Sequence, residues 1–181
     1  MKTMKYLKLF LVIVCISILM SCKDDDIIWD YAGISIYIKV KNTEGKDLLN
    51  PNTPNNLVNS DIISFQNDNI TIPVIWDINE YERPESRYYL SYLHSAIYRE
   101  ETLWNKKTNS LYLTGEWEIM VSDFPSDESY DNKILIVNIG EKSYNIRIAN
   151  TAKFKGHKLK TTTRFYVDGV EQEDDTICLI Y

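Results

Sequence analysis

Ile34-Ser35-Ile36-Tyr37-Ile38-Lys39-Val40-Lys41 decides the fold. It places Ile34, Ile36, Ile38 and Val40 on one face of an extended chain, with polar or amphipathic residues on the other. A period of two over eight residues is the signature of a half-buried strand. Outward from it, Asn42-Thr43-Glu44-Gly45-Lys46 supplies turn residues, and Asp47 to Val58 reads as a loop punctuated by Pro51 and Pro54.

The same grammar recurs along the chain. Ile62 to Gln66 and Ile70 to Trp76 flank Asn67-Asp68-Asn69, residues that tolerate positive φ, so a hairpin is expected, with Ile70, Ile72, Val74 and Trp76 on one face. Glu116 to Val121 alternates through Trp117, Ile119 and Val121. Ile134 to Ile139 and Ser143 to Ala149 bracket Gly140-Glu141-Lys142 as a second hairpin. Lys158 to Val167 sets Leu159, Thr161, Thr163, Phe165 and Val167 against Lys158, Lys160, Thr162, Arg164 and Tyr166, and Asp168-Gly169 closes it with a favoured two-residue turn. Tyr88 to Trp104 fits either period; its tyrosines favour strand through Tyr98, with a short helix as the alternative. Many short strands between turn signals predict an all-β fold, a single antiparallel β-sandwich, immunoglobulin-like or related.

Ahead of this body the chain reads as an export signal. Lys2, Lys5 and Lys8 precede an apolar run from Leu9 to Met20 broken only by Ser17. Twelve residues span roughly 18 Å as a helix, short of the ~30 Å hydrocarbon core, so a permanent transmembrane helix is not expected. The expected division is a signal peptide at 1–21, a lipidated Cys22 with an acidic tether at 22–32, and a β-sandwich domain at 33–181. Lys23-Asp24-Asp25-Asp26 is a run of charge that repels itself and resists packing. Three adjacent aspartates lack the alternating ligands of a calcium loop.

Loss of Lys2, Lys5 and Lys8 leaves 17 basic residues against 26 acids, a formal charge of −9. That balance argues against nucleic acid as a partner, because phosphate binding needs clustered cations. Cys15 lies in the expected signal segment and Cys22 at the anchor, so Cys178 is left without a disulfide partner. In Thr176-Ile177-Cys178-Leu179-Ile180-Tyr181 it reads as a small buried hydrophobe.

The chain carries little that reads as chemistry. His94 and His157 show no metal-ligand spacing, and no G-x-S-x-G, P-loop or G-x-G-x-x-G motif is present. No catalytic residue, metal site or cofactor is therefore assigned. A carboxylate pair for hydrolysis has no local signature, and 26 acids do not single one out. The loop from Asp123 to Asn132 gathers Asp123, Asp127, Glu128 and Asp131 with Asn132, enough oxygen ligands for calcium if it wraps, though the acids read first as solvated. Trp76 and Trp117 have inward parity, and Trp29 belongs where tether meets domain. Trp104, set between Glu100 and Asn109 among charged and amide residues, is the candidate exposed ring for ligand stacking.

Leu19-Met20-Ser21-Cys22 resembles the lipobox of bacterial lipoproteins, with Met20 larger than usual at its position. With Lys23 to Asp26, Ile28-Trp29-Asp30, Gly45 to Pro51 and Phe165-Tyr166-Val167-Asp168-Gly169, the chain resembles the small uncharacterised surface lipoproteins of Bacteroides-type bacteria. The resemblance implies lipid attachment at Cys22, cleavage after Ser21 and an outer-membrane, cell-surface location. That family has no agreed activity, so no catalytic residues carry over. The expected function is a lipid-anchored binding or structural module for a glycan or a surface protein. The competing expectations are a carboxylate-dependent hydrolase and an accessory subunit of a surface filament or transport assembly.

Overall fold

The computed structural model describes residues 33–67, 70–77, 96–155 and 158–181. Cys22, the acidic tether, Trp29, His94, His157, residues 68 and 69 of the first turn and residues 88–95 lie outside the described residues.

The described residues form eleven strands: β1 (Ile34–Lys41), β2 (Ile63–Asn67), β3 (Ile70–Ile72), β4 (Val74–Ile75), β5 (Ala96–Asn105), β6 (Ser110–Phe124), β7 (Tyr130–Ile139), β8 (Lys142–Lys155), β9 (Lys158–Val167), β10 (Val170–Glu171) and β11 (Thr176–Ile180). They make two sheets, ordered β11-β1-β6-β5-β4 and β10-β9-β8-β7-β2-β3, packed as a β-sandwich. The six-stranded sheet is antiparallel throughout. In the five-stranded sheet the two outer pairs, β1 with β11 and β4 with β5, run parallel.

Alternation explains the core. Ile36, Ile38 and Val40 of β1 and Ile119 and Val121 of β6 face Phe65, Leu135, Val137, Ile146, Ile148 and Phe165 of the other sheet, all buried. Each such side chain contributes about 1.5–3 kcal/mol relative to exposure. The 47–58 loop is part of this core, because Leu48, Leu49 and Leu57 are buried in it. Asp47 holds its start by accepting from Leu49 N at 2.8 Å and Trp117 N at 3.1 Å, and the Tyr98 hydroxyl donates to Leu49 O at 2.9 Å. Trp76 and Trp117 pack inward on either side of Tyr98, whose ring stacks on Trp117 at 4.8 Å between centroids and tilts against Trp76 at 5.3 Å.

Two expectations are corrected. Ile70 to Trp76 is not one strand with one buried face. Pro73 has no N–H to give a ladder, and the chain there leaves the six-stranded sheet and enters the other as β4. Ile72 is consequently buried while Ile70 is exposed. Cys178 is exposed rather than buried, because its register opposite Lys39 puts it on the outer face of the sheet, while Ile177 and Leu179 point inward.

The hairpins at Gly140-Glu141 and Asp168-Gly169 form as expected, with positive φ at Gly140, Asp168 and Gly169. Three strands are longer than the alternation alone suggests: β5 runs on to Asn105, β6 starts at Ser110, and β8 continues to Lys155.

Candidate functional site

The extra length of β5 and β6 builds the candidate site. Pairing of β1 with β6 extends only from Phe124 to Ile119, and β4 meets β5 only at Ala96 and Ile97. Beyond those points β5 and β6 continue together as a two-stranded ribbon, with Thr102 opposite Leu113, Leu103 opposite Tyr112, Trp104 opposite Leu111 and Asn105 opposite Ser110. Residues directly opposite share a face and alternate positions change face. One face therefore carries Trp104, Leu111 and Leu113, and the other carries Leu103 and Tyr112.

All five are large, apolar or aromatic, and between 45 and 64 % exposed, with Trp104 at 53 %. Single exposed hydrophobes are ordinary, whereas three neighbours on one face of a ribbon and two on the other make it the candidate interaction surface. The turn that joins the two strands, Lys106-Lys107-Thr108-Asn109, is polar and exposed, with Asn109 at φ 52°.

The root of the ribbon is a bulge. Glu100 pairs with Trp117 and Thr102 with Leu113, so Thr114, Gly115 and Glu116 oppose the single residue Glu101. Gly115 supplies the left-handed φ of +83° that the bulge requires, and its N–H donates to Glu100 Oε1 at 3.1 Å. Lys39, from the neighbouring β1, binds both sides of it, donating to Glu101 Oε1 at 2.8 Å and also to Glu116 Oε2. The Thr114 hydroxyl donates to Glu101 Oε2 at 2.7 Å. One step further, Arg99 Nε and Nη2 donate to the buried Glu118 at 2.9 and 2.8 Å while the guanidinium lies over the Tyr37 ring.

This lattice decides what Glu101 and Glu116 can do. Burial opposes ionisation of Glu101, but hydrogen bonds from Lys39 and Thr114 and the charges of Lys39 and Arg99 outweigh it and hold its carboxyl below the usual range. The Lys39 hydrogen bond does the same for Glu116 against a smaller burial effect. Lys39 moves the opposite way: burial disfavours its charge, yet the two carboxylates raise its pKa. Lys39 thus ties the two carboxylates together as a structural clamp between β1, β5 and β6.

The acidic loop is held through its backbone. Asn150, buried, donates to Ser126 O at 3.1 Å and Glu128 O at 2.6 Å and accepts from Thr163 Oγ1, while Asp131 pairs with Arg147 at 3.2 Å. Among the described residues no three His, Cys, Asp or Glu side chains converge as a metal site.

Of the expected site residues, Trp104 is exposed as its charged surroundings suggest, and Cys22 lies outside the described residues. Leu103, Leu111, Tyr112 and Leu113 join Trp104 only through the pairing of β5 with β6. Their signal in the sequence was Leu111-Tyr112-Leu113, three consecutive large residues that cannot all face a core in a strand. Comparison with protein-family models, with curated proteins and with solved structures finds no match.

Proposed function

We propose that the chain is a lipid-anchored binding module of the outer-membrane surface, held through Cys22, whose β5–β6 ribbon docks a protein partner. The observation that carries the reading is the cluster of five exposed large side chains on both faces of one ribbon. Leucines with Trp and Tyr match the buried centre of a protein interface better than a sugar site, where aliphatic side chains leave ligand hydroxyls unpaired. End-on insertion into the bilayer is disfavoured, because it would carry Lys106 and Lys107 deepest. The partner therefore approaches the ribbon from the side. Lipid attachment and surface display rest on the lipobox and acidic tether at residues 19–26.

The test is a photo-crosslinking residue at Leu111 in the full chain, activated in intact cells, with the same residue at exposed Glu44 as control. A discrete adduct from position 111 that Trp104→Ala removes is expected. No adduct at 111, or the same adduct from both positions, overturns the docking role. An adduct ladder in multiples of the chain's own mass identifies further copies of the chain as the partner and favours the filament reading. For the anchor, fatty-acid label is expected in the wild type and lost in Cys22→Ala; an unlabelled wild type overturns it.

A further inference from the structure

A second surface stands apart from the ribbon and carries the opposite chemistry. Beyond Asn150, where β7 stops pairing, β8 and β9 run on together. Their ladder sets Arg147 opposite Tyr166, Ala149 opposite Arg164, Thr151 opposite Thr162, Lys153 opposite Lys160 and Lys155 opposite Lys158. The intervening pairs include Ile148 with the buried Phe165, so the first set lies on the face turned away from the core.

Six cations thus share one face in a protein of net charge −6. Arg147 is occupied by Asp131 and stacks on Tyr166 at 3.7 Å, and Arg164 lies 3.9 Å from Glu171. Lys153, Lys155, Lys158 and Lys160 are exposed, and none forms an ion pair among the described residues. Like charges directly opposite one another destabilise a sheet. Two such pairs in succession, in a chain with acids to spare, are an arrangement that folding alone does not favour.

The face is also shaped. A depression of about 260 Å³ is lined by Thr151, Lys153, Lys160 and Thr162, and a second of about 220 Å³ shares the two threonines and is lined further by Ala149, Arg164, Tyr166 and Asp131, the last paired with Arg147. Together they make a shallow trough along the strands, in which two successive lysine pairs, a backbone step of roughly 6.7 Å apart, are followed by the threonine pair and then by Arg164.

We propose that this face binds a linear polysaccharide bearing sulfate or carboxylate groups. The repeated cations fit a repeated anion on an extended chain, and the threonine hydroxyls fit sugar hydroxyls. Single-stranded nucleic acid is the poorer match: the ring on this face, Tyr166, is covered by Arg147, so bases find no stacking platform. The site is independent of the docking ribbon.

The test measures binding of the full chain, purified in detergent, to heparin and to polygalacturonate, with neutral dextran as control, across a salt series. Heparin or polygalacturonate is expected to bind and dextran not to. Lys153→Glu with Lys155→Glu should weaken binding at least tenfold and flatten the salt dependence, since fewer counterions are released. The same variant places a glutamate opposite Lys160 and Lys158, so its unfolding midpoint should hold or rise, which separates lost binding from lost folding. Thr151→Val with Thr162→Val should weaken binding and leave the salt slope unchanged. Absence of binding to both polyanions at low salt overturns the proposal, as does equal weakening by Lys106→Glu with Lys107→Glu on the other ribbon. Tighter binding of oligo-dT or poly-glutamate than of either polysaccharide overturns the ligand class.

Discussion

Lys39 reaches from β1 to the Glu101 carboxylate on β5 at 2.8 Å, with the two side chains only 11 and 16 % exposed, and it holds Glu116 of β6 with the same ammonium. Three strands are therefore tied at the bulge beyond which only β5 and β6 remain paired. Lys39 positions the β5–β6 ribbon, and it acts through two carboxylates that would repel each other without it.

Removing that charge should be costly. Lys39→Ala leaves the half-buried Glu101 without its counter-ion, and a loss of about 2 kcal/mol is expected, below the full cost of breaking a buried pair because Thr114 still donates to Glu101 and Glu116 is half-exposed. Lys39→Met with Glu101→Gln and Glu116→Gln should recover most of it, since no charge is then stranded. Urea unfolding of both variants checks this, and equal stability of the two would contradict the clamp.

The same clamp sets a pH dependence. Glu101 and Glu116 are lowered on folding, so their contribution is fully present above the ordinary carboxylate value of 4.5 and disappears as pH falls through their lowered folded values. Lys39 is raised, so its share is complete below 10.5 and is lost as pH climbs through its folded value. Asp175, raised by burial and by the charge of Asp174, works against folding once ionised. Urea midpoints between pH 3 and 7 should show Glu101→Gln less stable than wild type at pH 7, with the gap closing toward pH 3.

The loop after β6 is held by Asn150. Asn150→Ala strands the Ser126 and Glu128 carbonyls and the Thr163 hydroxyl, with an expected loss of about 2 kcal/mol. Thermal melts with and without EDTA should coincide for the wild type. A midpoint lowered by chelation would show that the loop's acids hold a metal after all.

A side chain at Gly140 would be strained. Its φ is +57°, and an added Cβ would sit 2.7 Å from the Tyr181 hydroxyl. Gly140→Ala is expected to cost about 1–2 kcal/mol through strain and clash. Adding Tyr181→Phe removes the nearest atom and should restore part of the loss, read from denaturant midpoints.

Much of the sandwich was legible residue by residue. Strict alternation at Ile34 to Val40 and Lys158 to Val167 works because one face must be buried and the period of a strand is two. The Asp168-Gly169 turn followed from the residues that accept positive φ. Alternation failed where another constraint ruled. Pro73 moved the chain between sheets although Val74 and Trp76 kept the rhythm. Cys178 followed the register of its parallel partner Lys39 and not the apolar character of its neighbours.

The sequence by itself determined most of the strand faces, most of the turns, the all-β class, the exposure of Trp104 and the expectation of an anchor at Cys22, because each depends on residues close together in the chain. Tertiary structure decided which strands meet. Lys158, Lys160 and Arg164 could be placed on one face of β9 from their spacing, but only the ladder with β8 sets Lys153 against Lys160 and Lys155 against Lys158. In the same way, pairing of β5 with β6 gathers Leu103, Leu111, Tyr112 and Leu113 around Trp104. Binding surfaces are made by cross-strand neighbours, and register between strands is a property of the packed sheet that a one-dimensional period does not contain.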